Sequence, residues 1–549
     1  MRKIILVFVT TLFIFSCKQT PSAKNYFKKY DETAEIEQQQ THENKRMQFK
    51  LLQSKYSDLN EQFQPFEEEL SKFSEKEYNQ LKPLILEKNI PAIQQSISTK
   101  KLTYEKLTLF YLYRIRKFES DSTHYLNAII ALNPNVLKEA RAKDKEVKEV
   151  GAFSLNGIPI LIKDNIDAAG MVTTAGAVAL QNNSTDKDTF IVTKLKDAGA
   201  LILGKVNLSE WAYFFCEGCP LGYSAIGGQT LNPYGRKVFE TGGSSSGSGV
   251  SIAANYAAAA VGTETAGSIT SPSSQNSLVG LKPTIGVLSR SGIVPISSTL
   301  DTPGPMTKSI VDTAILYEAM LGKDEKDAAS LKIEGFNPKA LLEENYNIKE
   351  KRIGALKPLL KDTIYRASIE KLREAGAEII EITPPEISFD GFITLLNIDM
   401  KYDLPKYLST YGNKNLTVKK VEDVVSFNEK DSIKRAPYGQ QLFEGIVKDT
   451  TSLAQLEIVK DSLAFNGKKF LQDLEAQNLD VILSINNYHS GIAAVAKYPT
   501  LTVPMGYKKS GEPVSLTFIG KPFTEKELLQ LGYVFEQLTK ARKLPADYQ

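Results

Sequence analysis

Histidine and cysteine are scarce in this chain of 549 residues, which contains three of each. His42 and His124 lie in polar or helical segments of the N-terminal third, so a Ser-His-Asp arrangement could use only His489. The chain also lacks the G-x-S-x-G elbow that mounts the serine in many such arrangements. Catalysis that depends on histidine is therefore restricted to one residue.

The cysteines are too few for a zinc site. Cys216 and Cys219 form one C-x-x-C pair, and neither a second pair nor a His-x-x-x-His motif accompanies them. The neighbouring sequence does not support a thioredoxin-like site, so we expect either a local disulfide or two buried thiols. The sequence predicts no metal site.

Excess charge and internal repeats are also lacking. The net charge of +3 is small for this length and argues against a nucleic-acid partner. No heptad run or short repeat is present, and 42% apolar and 24% charged residues are ordinary values for a globular protein. The composition therefore indicates an enzyme-like folded body without specifying its chemistry.

No apolar run is long enough to span a bilayer, but residues 4–15 are apolar and follow Arg2 and Lys3. This layout is typical of a secretory signal. Ser16-Cys17 at its end resembles a bacterial lipoprotein box, which implies cleavage before Cys17 and attachment of a lipid anchor to that residue. A plain signal peptide is the alternative. Both readings predict an exported protein, and the first predicts a lipoprotein of the cell envelope held at the membrane.

Three regions follow from the pattern along the chain. We interpret residues 1–17 as the signal, 18–77 as a polar tether leading into exposed helix, and 78–549 as one catalytic domain. Buried-strand runs at 157–162 and 200–204 flank a helix-like stretch, which predicts an α/β fold. Residues 323–350 and 386–470 read as a helical insertion over the core. Further strands are predicted at 352–356, 378–382, 481–485, 500–503 and 514–519.

A Gly/Ser-rich segment at residues 241–249 has the composition of a flexible linker. It runs directly into small apolar residues at 250–260, which must pack closely inside a core, whereas a linker would be followed by a domain boundary. Glycine here permits close backbone approach, and the serines place several hydroxyls in one turn. A functional loop is the better interpretation.

A second turn, at residues 262–268, presents Ser268 at its end. Successive backbone N–H groups of Thr265, Ala266, Gly267 and Ser268 could point at a single oxygen and stabilise an oxyanion. On its own, this segment is equally well explained as an ordinary polar loop.

A nucleophilic serine needs a base, and lysine is the alternative to histidine. Lys163 follows five residues of buried-strand type, and burial lowers the pKa of an ammonium group because it disfavours the charged form. Lys205 and Lys282 also lie near strand-like segments. The physical argument alone does not choose among the three lysines.

Several ordered motifs between residues 157 and 306 resemble the amidase signature family, and similarity to its bacterial peptide amidase branch extends from about residue 78 to the C-terminus. The motifs are Gly157-Ile158-Pro159, Lys163-Asp164-Asn165, Gly204-Lys205-Val206-Asn207-Leu208-Ser209-Glu210-Trp211, Gly243-Ser244-Ser245-Ser246-Gly247-Ser248, residues 262–269, Gly280-Leu281-Lys282-Pro283-Thr284 and Asp301-Thr302-Pro303-Gly304-Pro305-Met306. The resemblance implies an amidase signature fold, in which helices flank a large mixed β-sheet.

The resemblance also implies the catalytic roles. Ser268 is expected to be the nucleophile, Ser244 the bridging serine after a cis peptide bond, and Lys163 the base. The oxyanion would be held by backbone N–H groups from Thr265 to Ser268, and no metal or organic cofactor is required. The expected reaction is hydrolysis of an amide C–N bond through an acyl-enzyme.

Three positions depart from the commonest family pattern, which has Asp, Gly and Arg where this chain has Glu264, Ala266 and Thr270. The peptide amidase branch also has Glu and a non-glycine residue at the first two positions. We interpret the departures as a mark of that branch. Ala266 is the departure to examine, because alanine does not adopt the dihedral angles of glycine freely.

The expected substrates are C-terminal peptide amides or small aryl and alkyl carboxamides, with pocket residues in the insertion and near residues 486–492. The alternatives are a lipid amide hydrolase or amidotransferase subunit of the same family, an inactive peptide-binding lipoprotein, and a penicillin-binding enzyme. The last rests on three short motifs in the order that such enzymes show: Ser98-Thr99-Lys100-Lys101, Ser274-Gln275-Asn276 and Lys509-Ser510-Gly511.

Overall fold

The computed structural model describes residues 25–146, 150–343 and 346–549. The signal and the proposed lipid-bearing Cys17 lie outside the described residues. Within those ranges, no helix combines the length and the apolar character that crossing a bilayer requires.

The centre of the described structure is one sheet of eleven strands in the order β1-β3-β2-β6-β8-β7-β12-β13-β11-β9-β10, with β4 and β5 forming a separate hairpin. The strands are β1 (Ile129–Leu132), β2 (Pro159–Lys163), β3 (Leu201–Val206), β4 (Tyr223–Ser224), β5 (Gly228–Gln229), β6 (Ala259–Glu264), β7 (Val279–Lys282), β8 (Thr302–Thr307), β9 (Arg352–Leu356), β10 (Glu378–Ile382), β11 (Val481–Ile485), β12 (Thr500–Tyr507) and β13 (Pro513–Gly520).

The sheet is mixed in direction. β2 runs parallel to both β3 and β6, while the strands through the middle, from β6 to β13, pair antiparallel. At the far edge, β9 is parallel to β10 and β11. The α/β class and the large mixed sheet predicted from the sequence are therefore confirmed.

Helices cover the sheet. The helices before and between the early strands are α1 (Thr33–Gln39), α2 (Leu59–Phe63), α3 (Glu67–Lys72), α4 (Glu75–Ile85), α5 (Ile90–Ser98), α6 (Tyr104–Glu119), α7 (Val136–Lys145), α8 (Phe190–Asp197), α9 (Ser246–Ala253), α10 (Thr270–Gln275), α11 (Ile310–Met320), α12 (Pro338–Glu343) and α13 (Thr363–Glu374). α9 is buried along its whole length, because its Gly, Ser and Ala residues allow close packing against the sheet.

The remaining helices include the insertion. They are α14 (Phe392–Thr410), α15 (Val421–Glu429), α16 (Ser432–Arg435), α17 (Gln441–Lys448), α18 (Leu453–Phe470), α19 (Asp473–Ala476), α20 (Ser490–Ala496) and α21 (Glu525–Thr539). Short 3₁₀ turns lie at Lys45–Met47, Gln64–Phe66, Val178–Leu180, Glu210–Tyr213, Ile348–Glu350, Lys357–Leu359 and Ala546–Tyr548.

Helices α14 to α18, which we call the cap, form the insertion predicted over residues 386–470. Apolar side chains of the cap form a second hydrophobic cluster together with residues of the core domain. The ring of Trp211, in the core, lies 5.1 Å from that of Phe443 in the cap. α18 begins with a capping box at Ser452, in which the side chains of Ser452 and Gln455 satisfy each other's backbone N–H groups.

The structure differs from the expected polar tether over residues 25–77. Phe63, Phe66, Leu70 and Phe73 recur at helical spacing and are buried in the main core. The segment also reaches the catalytic domain, where the N–H of Gln229 donates to the carbonyl of Leu52 over 2.8 Å. The segment is polar on average, but its few apolar side chains lie on one narrow stripe. These side chains are sufficient to pack the segment against the core.

Candidate active site

The site begins at the carboxyl end of β2, where Lys163 follows buried aliphatic residues. Its side chain is fully buried. The Nζ atom donates to Ser244 Oγ over 2.7 Å, to Thr263 Oγ1 over 2.8 Å and to the carbonyl of Thr263 over 3.2 Å. Burial lowers the pKa of Lys163 to about 7, although the negative charges of Asp301 and Glu264 act in the opposite direction. Lys163 therefore holds its proton loosely near neutral pH.

Ser244 lies in the Gly/Ser-rich turn that leads into α9, and the peptide bond between Gly243 and Ser244 is cis, as the family resemblance implies. The carbonyl of Ser244 accepts from the N–H of Ser209 over 3.0 Å. The next residue, Ser245, donates its N–H to the carbonyl of Ser268 over 3.1 Å. The turn that carries Ser244 is thus joined by the backbone to the turn that carries Ser268.

Ser268 ends the turn between β6 and α10. Its surroundings differ from those of the other two residues, because Lys163 and Ser244 are fully buried whereas Ser268 is partly exposed. Lys163 and Ser244 thus form a buried hydrogen-bonded pair, and Ser268 lies at the partly exposed side of the site. Within the described residues, the two turns are joined through the backbone, and no hydrogen bond links the hydroxyls of Ser244 and Ser268. Only the last of the three can meet a substrate directly.

The Ser268 turn is held at its far end by Glu264, the residue found where the commonest family pattern has aspartate. Glu264 Oε2 accepts from the N–H of Ile269 over 2.7 Å and from the N–H of Thr270 over 2.8 Å. It also accepts from the hydroxyl of Thr270 over 2.8 Å. The carboxylate thus saturates the first N–H groups after the turn, and Thr270 serves as part of the same contact.

The backbone N–H groups of the turn itself, before Ile269, are free to bind a substrate oxygen. Among the described residues, none accepts a hydrogen bond from the N–H of Thr265, Ala266, Gly267 or Ser268. Gly267 has φ of +119°, which favours glycine, whereas Ala266 has no positive φ. The alanine is therefore compatible with the turn, and four successive N–H groups could serve an oxyanion.

A cleft of about 400 Å³ opens beside this turn. Thr265 and Asp301 line it from the core, Asp403 and Tyr407 line it from α14 of the cap, and Tyr411 lines it from directly after that helix. The part of the chain predicted to hold pocket residues near 486–492 also approaches the turn. A Cβ placed on Gly267 would lie 3.4 Å from Nδ2 of Asn487.

The other two candidate lysines have different partners. Lys205 forms a buried ion pair with Asp164, with Nζ and Oδ1 3.2 Å apart, and donates to Thr173 Oγ1 over 2.8 Å. Lys282 donates to the carbonyl of Pro283 over 3.1 Å. Of the three lysines, Lys163 is the one that contacts a serine hydroxyl.

His489, the histidine considered as an alternative base, has partners away from the two turns. His489 forms a 2.6 Å hydrogen bond with Ser484 on β11, and its ring stacks on Phe470. Burial lowers the pKa of His489 to about 4, so the ring is neutral at physiological pH. The histidine alternative therefore involves a different serine from Ser268.

The structure also settles the smaller motifs. Cys216 and Cys219 form a disulfide. Within the described ranges, no cluster of three or more His, Cys, Asp or Glu residues is arranged to hold a metal ion. Of the penicillin-binding motifs, Ser98 is exposed at the end of α5 and Ser274 is fully buried in α10. Their hydroxyls bond to the carbonyls of Gln95 and Thr270 rather than to each other.

Three residues at the site were not singled out from the sequence. Thr263 receives a hydrogen bond from Lys163, Ser209 holds the carbonyl of Ser244, and Asp301 accepts from the hydroxyl of Thr265 over 2.6 Å. All three belong to the matching motifs or lie directly beside one. The only signal was therefore their membership in these strings, which does not reveal which atoms meet.

Comparison with known proteins gives a consistent result. The family model described as Amidase matches residues 106–437. A protein of Arabidopsis thaliana named as a probable amidase is 35% identical over 484 residues, covering 84% of this chain and 92% of that protein. An amidase family protein of Bacillus anthracis has a TM-score of 0.84 at 37% identity, over 90% of this chain and 99% of that chain.

A peptide amidase of Stenotrophomonas maltophilia is also similar, with a TM-score of 0.78 at 37% identity over 84% of this chain and 98% of that chain. Together with the fold and the site, these similarities define the class: a hydrolase that acts on amide C–N bonds. The chain belongs to the amidase family, with the amidase signature motifs in place.

Proposed function

We propose that this protein hydrolyses the C-terminal amide of short peptides, or small carboxamides, through an acyl-enzyme on Ser268 with Ser244 as the proton bridge and Lys163 as the base. The observation that carries the proposal is the 2.7 Å contact between Lys163 Nζ and Ser244 Oγ, made by a lysine whose pKa burial lowers to about 7. Near neutral pH such a lysine is neutral in a large fraction of molecules, and its lone pair can accept a proton.

In the first half-reaction, neutral Lys163 accepts the hydroxyl proton of Ser244 while Ser244 accepts that of Ser268. The Ser268 Oγ attacks the amide carbon, and the carbonyl electron pair moves onto oxygen. The N–H groups from Thr265 to Ser268 then stabilise this oxyanion, which is the charge that develops in the transition state.

The first half-reaction ends when the proton on Lys163 returns through Ser244 to the leaving nitrogen, and the C–N bond breaks to release ammonia or an amine. The second half-reaction is hydrolysis of the acyl-enzyme. A water molecule then attacks the acyl-enzyme, and the same relay accepts its proton. Ser268 leaves with a proton and the carboxylic acid is released. Each proton that the base takes is given back, so the cycle needs no other reactant than water.

The substrate class is supported by two observations. The similar Stenotrophomonas protein is a peptide amidase. The cleft beside Thr265 has a mixed lining, in which the ion pair of Arg290 and Asp327 and two cap tyrosines stand beside apolar residues such as Ile293 and Ile296. Such a lining suits a short peptide. We therefore prefer a peptide or small polar amide to the lipid amides of the same family.

The test is ammonia release from a C-terminally amidated dipeptide by the full-length protein in mild detergent. We expect release that Ser268→Ala abolishes. Ser251→Ala is the matched control, because Ser251 is a buried serine of α9 whose hydroxyl bonds only within its helix, and it should leave the rate unchanged. Folded protein that releases no ammonia from a broad amide panel would contradict the proposal and favour a binding role.

The cellular location is a second part of the proposal. We infer from residues 2–17 that Cys17 carries a lipid and that the enzyme works outside the cytoplasm, anchored to a membrane of the cell envelope. Metabolic labelling with a palmitate analogue should mark the wild-type protein and fail to mark Cys17→Ser. Equal labelling of both proteins, or labelling of neither, would contradict the anchor.

A further inference from the structure

We propose that Asp301 is a positioning residue for this reaction: its carboxylate ties the start of the oxyanion-binding turn to a loop that the cap holds in place. This proposal rests on the function proposed above and extends it to a residue that does not touch the substrate-derived atoms. Asp301 lies at the edge of the cleft, directly before β8.

Both carboxylate oxygens of Asp301 are occupied, and they face opposite sides. Oδ1 accepts from the hydroxyl of Thr265 over 2.6 Å. Oδ2 accepts from the N–H of Ile296 over 2.8 Å and from the N–H of Ser297 over 2.9 Å. The side chain therefore joins the first residue of the turn to the loop at 295–301.

That loop is in turn fastened to the cap. The hydroxyl of Ser297 donates to Asp399 Oδ2 over 2.5 Å, and the N–H of Ser298 donates to Asp403 Oδ2 over 2.6 Å. Asp399 also pairs with Lys460 of α18 across 3.3 Å. A continuous set of contacts thus runs from α18 through α14 and the loop to Thr265.

The turn at residues 265–268 is held at both of its ends. Glu264 binds the N–H groups of Ile269 and Thr270 and fixes the far end. Asp301 fixes the near end through a side-chain hydroxyl, which leaves the N–H of Thr265 available. A turn held only at its far end would place these N–H groups less accurately, and errors of about 1 Å in such groups cost roughly 100-fold in rate.

The charge of Asp301 gives the proposal a second, independent readout. The charged groups around Asp301 and Lys163 are Arg290, which precedes the loop, Glu264 at the end of β6, and Asp399 and Asp403 on α14. Asp301 favours the protonated form of Lys163. Removing this negative charge should therefore lower the pKa of Lys163 further. Removing the Thr265 hydroxyl raises the pKa of Asp301 but keeps its carboxyl group, so the pKa of Lys163 should fall less.

The experiment compares Asp301→Asn, Thr265→Val and Thr265→Ser in the full-length protein. We expect kcat for an amidated dipeptide to fall roughly 10- to 100-fold in Asp301→Asn and Thr265→Val, with KM within about threefold of wild type. Thr265→Ser keeps the hydroxyl and should restore most of kcat. In addition, the acid limb of the pH profile should move to lower pH, and further in Asp301→Asn than in Thr265→Val.

Asp312→Asn is the matched control. Asp312 is a fully buried carboxylate whose pKa burial raises to about 6, as for Asp301, and it accepts from the N–H of Ile90 far along the chain from both turns. It should change thermal stability without changing kcat or the acid limb. A loss in Asp312→Asn equal to that in Asp301→Asn would show a general structural effect and overturn the proposal.

The rate of labelling of Ser268 by a fluorophosphonate supplies a readout that does not need the natural substrate, because the phosphoryl oxygen occupies the oxyanion position. We expect Asp301→Asn and Thr265→Val to label more slowly than wild type. Wild-type rates of labelling and turnover in both variants would overturn the role of Asp301 alone. Wild-type protein that neither labels nor turns over any amide would overturn the proposed function, and this inference with it.

Discussion

The two turns that carry Ser244 and Ser268 differ in kind from the cap that faces them. The turns are built from Gly, Ser, Thr and Ala in two short stretches of sequence, and nearly every residue from 242 to 265 is buried. The cap is built from amphipathic helices and leaves large apolar side chains exposed, among them Ile393, Ile433, Ile458 and Phe465. Proton transfer over distances near 2.7 Å requires closely packed turns of this type. A surface that selects substrates can be built from amphipathic helices such as those of the cap.

This comparison predicts that changes in the turns alter kcat, while changes in the cap side chains that line the cleft alter KM. The largest effect is expected when the base is removed. Lys163→Met should lower kcat by about 1,000-fold or more, because Ser244 loses its proton acceptor and methionine fills the buried space of the lysine stem. Steady-state kinetics on an amidated dipeptide measures the loss, and a residual rate within tenfold of wild type would exclude Lys163 as the base.

The same variant should be more stable than wild type. Because the pKa of folded Lys163 is about 7 and lies below the ordinary value of 10.5, the unfolded chain binds more protons between these values. The cost of burying the lysine is therefore present in full below pH 7 and disappears as the pH rises towards 10.5. Lys163→Met should raise Tm by a few degrees at pH 6 and by less at pH 10.

Next in size is the pH dependence of the wild-type enzyme. Neutral Lys163 is the active form, so kcat/KM should fall about tenfold per pH unit below an apparent pKa of about 7 and reach a plateau above it. Burial also raises the pKa of Asp301 to about 6, so a steeper fall is expected below that value. An activity that stays flat down to pH 5 would contradict the assignment of the base.

The cap should respond with smaller effects on KM. Tyr411 lines the cleft at the end of α14, and Tyr411→Ala should raise KM about 5- to 20-fold while kcat changes by less than threefold. Tyr402 is the matched control, because it lies on the same helix, is exposed and does not line the cleft. Tyr402→Ala should leave both parameters unchanged. A fall in kcat without a rise in KM in Tyr411→Ala would contradict the assignment of substrate binding to the cap.

The smallest effect is expected at the junction between the two regions, where the Cys216–Cys219 disulfide lies. The carbonyl of Phe215, beside it, accepts from the N–H of Leu442 over 3.2 Å. The disulfide closes a loop of only a few residues, so it stabilises the protein by about 2 kcal/mol at most. The double change Cys216→Ser with Cys219→Ser should lower Tm by roughly 1–3 °C. Reducing agent should shift the wild type equally and leave the variant unaffected.

The same contrast explains what the sequence could predict. Lys163, Ser244 and Ser268 are predicted as catalytic residues because each lies in a contiguous motif. Strands such as β2, β3 and β9 to β13 are predicted because buried apolar runs are local, whereas β6 and β8, which are rich in Ala, Gly, Thr or Pro, are not. The contact between Thr265 and Asp301 joins residues 36 positions apart, and no local pattern encodes it. The packing of residues 25–77 against the core was not predicted, because the apolar residues of this segment are few and are spread over several helices.

Ala266 illustrates a third case. Family comparison marks it as a departure, and alanine is a poor replacement wherever glycine needs a positive φ. In the structure, however, the positive φ falls on Gly267, one residue later. The sequence shows which residue is unusual, and only the backbone angles show that the position tolerates it.

The most direct test of the central claim is to locate the covalent intermediate. Intact mass spectrometry of the full-length enzyme after reaction with a fluorophosphonate, followed by peptide mapping, should show one adduct on Ser268. The adduct should be absent in Ser268→Ala and should form more slowly in Ser244→Ala and Lys163→Met. An adduct on Ser244, or full turnover by Ser268→Ala, would contradict the relay from Lys163 through Ser244 to Ser268.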